Sequence, residues 1–496
     1  MTLQGSISKR TIFSLFIILI AALLLRCLML TKESLWLDEI ASWGFASKPF
    51  SQALRSEATN PPLYYALLHF WMKWFGTGES AIRSLSILPG VVSVWLIFHL
   101  GRRLFSPAIA CLAAAYQAIS TFQIYYAQEA RCFSLLVCFL LLASLCLWNA
   151  LQEPGGRRLL YFAGVALFGI LSLYTHFIAI FFLGGFGVYV LFRRPRQVIA
   201  TAASIATALL LFAPWLLQML KAAGGGGQHR RYLLLKLPQA YFSFLFGDTL
   251  IPLDDEAVRH IPQTLRANWW ILALALGSLA VFLPFLRRAW RRWGESVTFV
   301  ATMAVVPVIL AFLVSFKIML FDERYLIGAS PFLYLMITAA VAEIPAARSG
   351  GRLVSAGWAA CLAYSVLLVI SLANYYFNPR FGKEQWREAA AYIDSLVPPA
   401  GNVLLVFDPD YLNGCYRYYG AHRLAEWLIT EPIERAILDS ATDLRERTAG
   451  YQRIILIRSH DDADTVVNAL RGVSAEEDHR RFSKANPIDI YSFRPR

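Results

Sequence analysis

Charge is scarce in this chain of 496 residues: Asp, Glu, Lys and Arg together make up 16%. That is below the ~25% usual for soluble domains, and it argues against a water-facing globule for most of the length. The seven cysteines form no metal-ligand spacing and no disulfide framework. Cys27, Cys111, Cys132, Cys138, Cys146 and Cys361 lie in or at the ends of apolar runs, and Cys415 stands alone in the polar tail. No small-residue cleavage site follows the apolar run from Thr11 to Leu30, which therefore reads as an uncleaved first helix rather than a signal peptide. No clear internal repeat is visible.

What is present is apolar and aromatic. Hydrophobic residues make up 57% and aromatic residues 14%, with a mean hydropathy of +0.50. Runs of spanning length lie near 11–30, 84–101, 107–124, 132–150, 159–175, 177–192, 198–219, 269–286, 297–316, 326–343 and 353–373. The chain is thus expected to be a polytopic α-helical membrane protein of about eleven helices.

The net charge of +13 sits in short basic clusters between those runs, a pattern of membrane topology and not of a nucleic-acid surface. The clusters are Lys9/Arg10, Arg102/Arg103, Arg157/Arg158, Arg193/Arg194/Arg196, Arg287/Arg288/Arg291/Arg292 and Arg348/Arg352. They fall at alternate junctions, which puts the N-terminus inside and the C-terminal tail outside. Residues 61–75, PPLYYALLHFWMKWF, are short for a span and read as lying on or dipping into the outer leaflet. Two parts are expected. Residues 1–375 form a membrane body with a first outer loop at 31–83, and 376–496 form an extracytoplasmic α/β domain.

In the tail, a helical stretch at Glu384–Leu396 precedes strands at Val403–Phe407, Ile454–Ile457 and Ile488–Tyr491. Asp408-Pro-Asp410 after the first strand reads as a polar turn. The 220–268 loop opens with Gly224–Gly227, a flexible stretch that reads as a linker.

Ionisable residues gather at the expected outer face. Asp38 and Glu39 stand just past the first helix amid Leu35, Trp36, Leu37 and Ile40, where carboxylates need a partner or a function. Gln128, Glu129 and Arg131 occupy the link after Tyr125 and Tyr126. Asp322, Glu323, Arg324 and Tyr325 sit at the outer end of a later helix, and Tyr174, Thr175 and His176 mark another outer junction. A lone His there is most often a hydrogen-bonded structural residue. Arg131 and Arg324 are candidate phosphate ligands through charge-assisted hydrogen bonds.

A lipid-phosphate sugar donor demands this set. Its phosphate stays at headgroup level, its tail between helices, and its sugar just outside. An Arg stabilises the departing phosphate, and a carboxylate takes the proton of an attacking hydroxyl. A single displacement inverts the anomeric carbon. Two other classes compete: a polytopic transporter or lipid flippase, and a non-catalytic membrane scaffold. The first favours repeats and midplane charges, absent from the sequence, and the second leaves the Asp38, Glu129, Arg131 and Arg324 grouping unexplained.

The segments SLWLDE at 34–39, NPPLYYALLHFW at 60–71, YYAQEARCFSLL at 125–136, YTHF at 174–177 and ERYLIGASP at 323–331 together resemble the C-type glycosyltransferase (GT-C) superfamily. The closest likeness is to the protein O-mannosyltransferase-like group, family 39, and its relatives the aminoarabinose transferases, over residues 10–345. The resemblance implies Asp38 as the catalytic acidic residue with Glu39 beside it. It implies Gln128, Glu129 and His176 near the acceptor or a metal, and Arg131, Arg324 and Tyr325 on the donor phosphate. The implied partners are a polyprenyl-phosphate sugar, of undecaprenyl type in a bacterial host, an extracytoplasmic protein, lipid or glycan acceptor, and membrane lipid. The implied location is the bacterial inner membrane. Some relatives use a divalent metal. Relatives often carry His before Pro-Pro, where this chain has Asn60.

Overall fold

The computed structural model describes residues 8–54, 60–222, 233–252, 261–318, 320–346, 351–398, 401–429, 441–460, 464–484 and 486–496. The Gly224–Gly227 stretch lies outside them. The chain divides into two compact units, one of residues 1–30 and 48–377, the other of residues 31–47 and 378–496.

The larger unit is helical. Its first helix, Lys9–Cys27, starts where the Ser8 side chain accepts the Thr11 N–H at 3.1 Å. That helix exposes Phe13, Phe16 and Leu24, as a helix bathed in lipid does. Each of the eleven apolar runs lies on helix, and seven helices among the described residues are long and apolar enough to cross a membrane. One of these, Trp269–Val314, is 46 residues long. At ~1.5 Å per residue this would be about twice the ~30 Å hydrocarbon layer. The backbone leaves helical values at Trp293 (φ −123°, ψ 34°), directly after the Arg287–Arg292 cluster, so two spans meet there. The runs near 177–192 and 326–343 give shorter helices, Ala179–Arg193 and Ile327–Ala342. A further apolar helix, Leu233–Phe246, lies in what the hydropathy pattern leaves as loop. Its 14 residues and internal Pro238 keep it below spanning length.

The run near 107–124 is bent by 58° between Pro107–Ile119 and Thr121–Ala127. The bend frees carbonyls that a straight helix would bond. Arg26, fully buried, supplies the donors: one terminal nitrogen donates to the Ala118 carbonyl at 3.1 Å and the other to that of Gln117 at 3.3 Å. A buried Arg in a membrane is tolerated where carbonyls accept its hydrogen bonds. Arg26→Leu orphans both carbonyls at roughly 1–3 kcal/mol each. It is expected to lower the thermal unfolding midpoint in detergent by several degrees, while Arg10→Leu, on the exposed start of the same helix, leaves it unchanged.

The smaller unit holds a five-stranded sheet ordered β2-β1-β3-β5-β4, where β1 is Val403–Asp408, β2 Ala425–Leu428, β3 Arg453–Arg458, β4 Ser474–Phe482 and β5 Ile488–Pro495. β1 runs parallel to β2 and β3, and β5 runs antiparallel to β3 and β4. Central β1 is buried throughout, as its VLLVF run requires of a strand covered on both faces. The helix Thr465–Val473 buries Val466, Val467, Leu470 and Val473 in one core with Leu404, Val406, Ile454 and Leu456. The helix Trp386–Leu396 buries Trp386, Ala389, Ala390 and Ile393, spaced i, i+3, i+4, i+7, and packs on β5. All three strands expected from the sequence are present. The two additional ones are edges: β2 has four residues and β4, SAEEDHRRF, is mostly exposed and charged. Edge strands carry such charge against mispairing, which hides them from hydrophobic pattern reading.

Asp408 is no solvated turn residue. It is 4% exposed and faces the Arg458 guanidinium at 3.5 Å. The change of composition along the sequence sets the domain boundary at 375/376. The structure places the break after Phe377 and gathers 31–47 with the tail. The Leu35 N–H donates to the Tyr419 hydroxyl at 2.6 Å, and that of Leu37 to the Glu384 carboxylate at 3.1 Å.

Candidate active site

In the smaller unit, Asp38 and Glu39 open the helix Leu37–Ala46, where the positive end of the helix dipole favours carboxylates. The two differ in setting. Glu39 is fully buried, accepts the Trp36 N–H at 3.4 Å and pairs with Lys383 Nζ at 3.4 Å, itself 8% exposed. Glu39 therefore anchors the helix start. Asp38 is half-buried beside it. Glu384 secures the same turn: it accepts from Leu37 N–H, from Trp386 Nε1 at 2.6 Å and from Asn486 Nδ2 at 2.9 Å, with His460 Nε2 at 3.0 Å. Burial alone would raise its pKa, but the contacts from His460, Asn486 and Trp386 hold it below the usual carboxylate value.

In the larger unit, three segments distant in sequence bring their side chains together. Helix Thr121–Ala127 ends at Gln128, whose amide donates to the Leu25, Arg26 and Leu28 carbonyls at 3.3, 3.0 and 2.8 Å and whose oxygen accepts from Tyr375 at 2.6 Å. Gln128 thus clasps the end of the first helix. The turn it fixes carries Glu129, fully buried, and Arg131, 7% exposed. The Arg131 guanidinium lies over the Phe133 ring, 5.9 Å from its centroid. Phe133 stacks on Tyr325 at 6.1 Å, and the Arg324 guanidinium lies over Tyr325 at 5.2 Å. Arg324 is braced by Asp322, which accepts its Nε at 3.1 Å and its backbone N–H at 3.0 Å.

His176 fills the same aromatic layer, 4.6 Å from Tyr325 between ring centroids. Its Nδ1 accepts the Ile178 N–H at 3.3 Å. Burial, and then the charges of Arg131 and Arg324, push its pKa down to about 3, so the ring is neutral at physiological pH. Both guanidiniums are thus close enough to His176 to repel its proton.

One acidic residue here escaped sequence reading. Asp248 follows the apolar helix Leu233–Phe246 and is pushed up to about 7 by burial and then by the charge of Glu323, whose own pKa is raised by burial and Asp322. Ser243 and Lys236 oppose the shift on Asp248. The available signal was a lone Asp in FGDT directly after an aromatic-rich run. Because folding raises this pKa, the folded state holds an extra proton from the unfolded value of ~4 up to about 7, and stability falls as pH rises through that window. Asp248→Asn removes the penalty. Its unfolding midpoint is expected to exceed that of the parent at pH 8 and the excess to shrink by pH 5.

Among the described residues no three or more His, Cys, Asp or Glu side chains are grouped to hold a metal ion.

This frame has known counterparts. The family profile described as dolichyl-phosphate-mannose-protein mannosyltransferase matches residues 59–217. The structure of ArnT from Cupriavidus metallidurans in the apo state superposes with a TM-score of 0.61 at 12% identity, covering 98% of both chains. The chain has the GT-C fold. The same ArnT bound to undecaprenyl phosphate superposes with a TM-score of 0.56 at 13% identity, over 96% of this chain and 97% of that one. The Archaeoglobus fulgidus oligosaccharyltransferase, tethered to an acceptor peptide, gives 0.57 at 11% identity, over 99% of this chain and 74% of that one. No curated protein sequence matches the chain closely enough to count as a relative. The chain is an integral membrane protein with a small C-terminal sheet, related in fold to the aminoarabinose transferases.

Proposed function

We propose that this chain is an inverting membrane glycosyltransferase that moves a sugar from a polyprenyl-phosphate donor to an extracytoplasmic acceptor. The observation that carries the reading is the pair Arg131 and Arg324, mounted on the Phe133–Tyr325 stack with a neutral His176 packed against Tyr325. Two guanidiniums so held offer forked donors to a phosphate with little reorganisation. His176 adds no third charge and packs the layer that keeps Tyr325 in place. The ArnT structure with undecaprenyl phosphate supports the choice of lipid carrier.

Asp38 takes the proton from the acceptor hydroxyl as it attacks the anomeric carbon. The C–O bond to the donor phosphate breaks, and Arg131 and Arg324 hold the phosphate as its charge grows. Glu39, paired with Lys383, and Gln128, clasping the first helix, keep their loops in position. Glu129 lies two residues before Arg131 on the same buried turn, and its role in this reading is on the acceptor side. The basic clusters at alternate junctions support an orientation with the N-terminus in the cytoplasm of a bacterial inner membrane and the sheet unit outside.

The test is reconstitution in liposomes with a polyprenyl-phosphate sugar and a glycan or peptide acceptor. Release of polyprenyl phosphate dependent on acceptor is the expected result. Release that is absent for every donor, or a C-terminal reporter fusion active only in the cytoplasm, would remove the reading.

A further inference from the structure

The smaller unit contains a cleft that the transfer chemistry does not use. It has a volume of about 570 Å³ and is lined by Trp43, Arg417, Arg423, Leu424 and Glu426. That volume falls in the roughly 300–1,000 Å³ range of small-ligand sites. Trp43 lies on the helix Leu37–Ala46 and is braced edge-on by Tyr418 at 5.0 Å. Its ring is therefore fixed before any ligand arrives. Arg417 meets Glu426 through two parallel bonds, Nη2 to Oε2 at 2.6 Å and Nε to Oε1 at 3.1 Å. Asn413 Nδ2 also donates to Glu426 Oε2, at 3.4 Å. Arg423 is exposed and makes no ion pair among the described residues.

Each wall has a chemical meaning. A fixed indole beside polar groups suits a ligand with one apolar face and one wet edge. A pyranose ring has this form: axial C–H bonds on one face, hydroxyls at the rim. The locked Arg417–Glu426 fork presents spare guanidinium donors and carboxylate lone pairs together, which hydroxyls can bridge. The lining holds two guanidiniums and one carboxylate, so its charge is positive and Arg423 is left to meet an anion.

We propose that this cleft binds an anionic saccharide residue of an extracytoplasmic glycan, with its ring on Trp43 and its carboxylate on Arg423. It is a recognition subsite for the acceptor, and in that respect it rests on the transferase reading. Binding itself does not.

The experiment uses the full chain in nanodiscs, with galacturonic acid, trigalacturonate, galactose and acetate as probes in saturation-transfer NMR and calorimetry. Galacturonic acid is expected to bind, trigalacturonate to bind more tightly, galactose to bind at least several-fold more weakly, and acetate not to compete. Trp43→Ala should weaken galacturonic acid at least tenfold, Trp43→Phe only two- to threefold, and Arg423→Gln about tenfold with no change in unfolding midpoint. Undiminished binding to Trp43→Ala, or acetate competing as well as galacturonic acid, overturns the proposal. Release of polyprenyl phosphate is measured on the same samples. Binding without release would sink the transferase reading alone, and release without binding would sink the cleft alone.

Discussion

Asp38→Asn is expected to reduce sugar transfer by about 10²–10⁴-fold, the usual contribution of a positioned general base. The substitution keeps size and shape and removes the negative charge, and with it the ability to take a proton. Asp38 opens the helix Leu37–Ala46 beside Glu39, and Glu39 holds the buried contact with Lys383. The helix start therefore stays in place in the variant. The loss should fall on kcat, with KM for the donor lipid unchanged within twofold, since the proton is moved only in the transition state. Membrane insertion should match the parent, and the unfolding midpoint should fall only slightly, since a carboxylate at a helix start is worth about 0.3–1 kcal/mol. Glu39→Gln should behave differently. It leaves Lys383, 8% exposed, facing a neutral amide, and so should lower the midpoint as well as activity, because breaking a buried pair strands the other charge. Equal transfer rates for parent and Asp38→Asn would take Asp38 out of the mechanism.

The second large effect concerns the two arginines. Arg324→Gln is expected to slow transfer by roughly 10²–10³-fold, the scale seen when one donor to a developing oxyanion is removed. Arg131→Gln should cost a similar factor. The double variant should lose less than the product of the two, since both act on one phosphate. Arg324→Lys should restore little. A lysine ammonium cannot lie flat over Tyr325 and also offer Asp322 an Nε–H, as Arg324 does. The measurement is single-turnover release of polyprenyl phosphate, with binding of the lipid followed separately. A double variant that transfers at the parental rate would dismiss the guanidinium pair as phosphate ligands.

The candidate site was partly legible because its chemistry is local. Arg131 and Arg324 stand in short polar links between long apolar runs, and a charge at a membrane boundary is conspicuous in sequence. Asp248 was not, because a single acid after an apolar stretch reads as a helix end. Its unusual proton affinity comes from burial against Glu323, 75 positions along the chain by their numbers (323 − 248). The work of Gln128 was hidden for the same reason. Its partners, the carbonyls at the end of the first helix and Tyr375, are remote in sequence and leave no mark around it.

Sequence alone determined the membrane body, the number of apolar runs and the three inner strands of the sheet. These follow from hydrophobicity and its period, which each segment carries in itself. Tertiary structure decided which unit receives residues 31–47, because that choice rests on Leu35 and Leu37 finding Tyr419 and Glu384. It decided that Glu39 pairs with Lys383 while Asp38 stands beside it. It decided, too, that Arg26 closes the bend at Ser120. Pairings of this kind depend on distances between elements remote along the chain, and no local pattern encodes those distances.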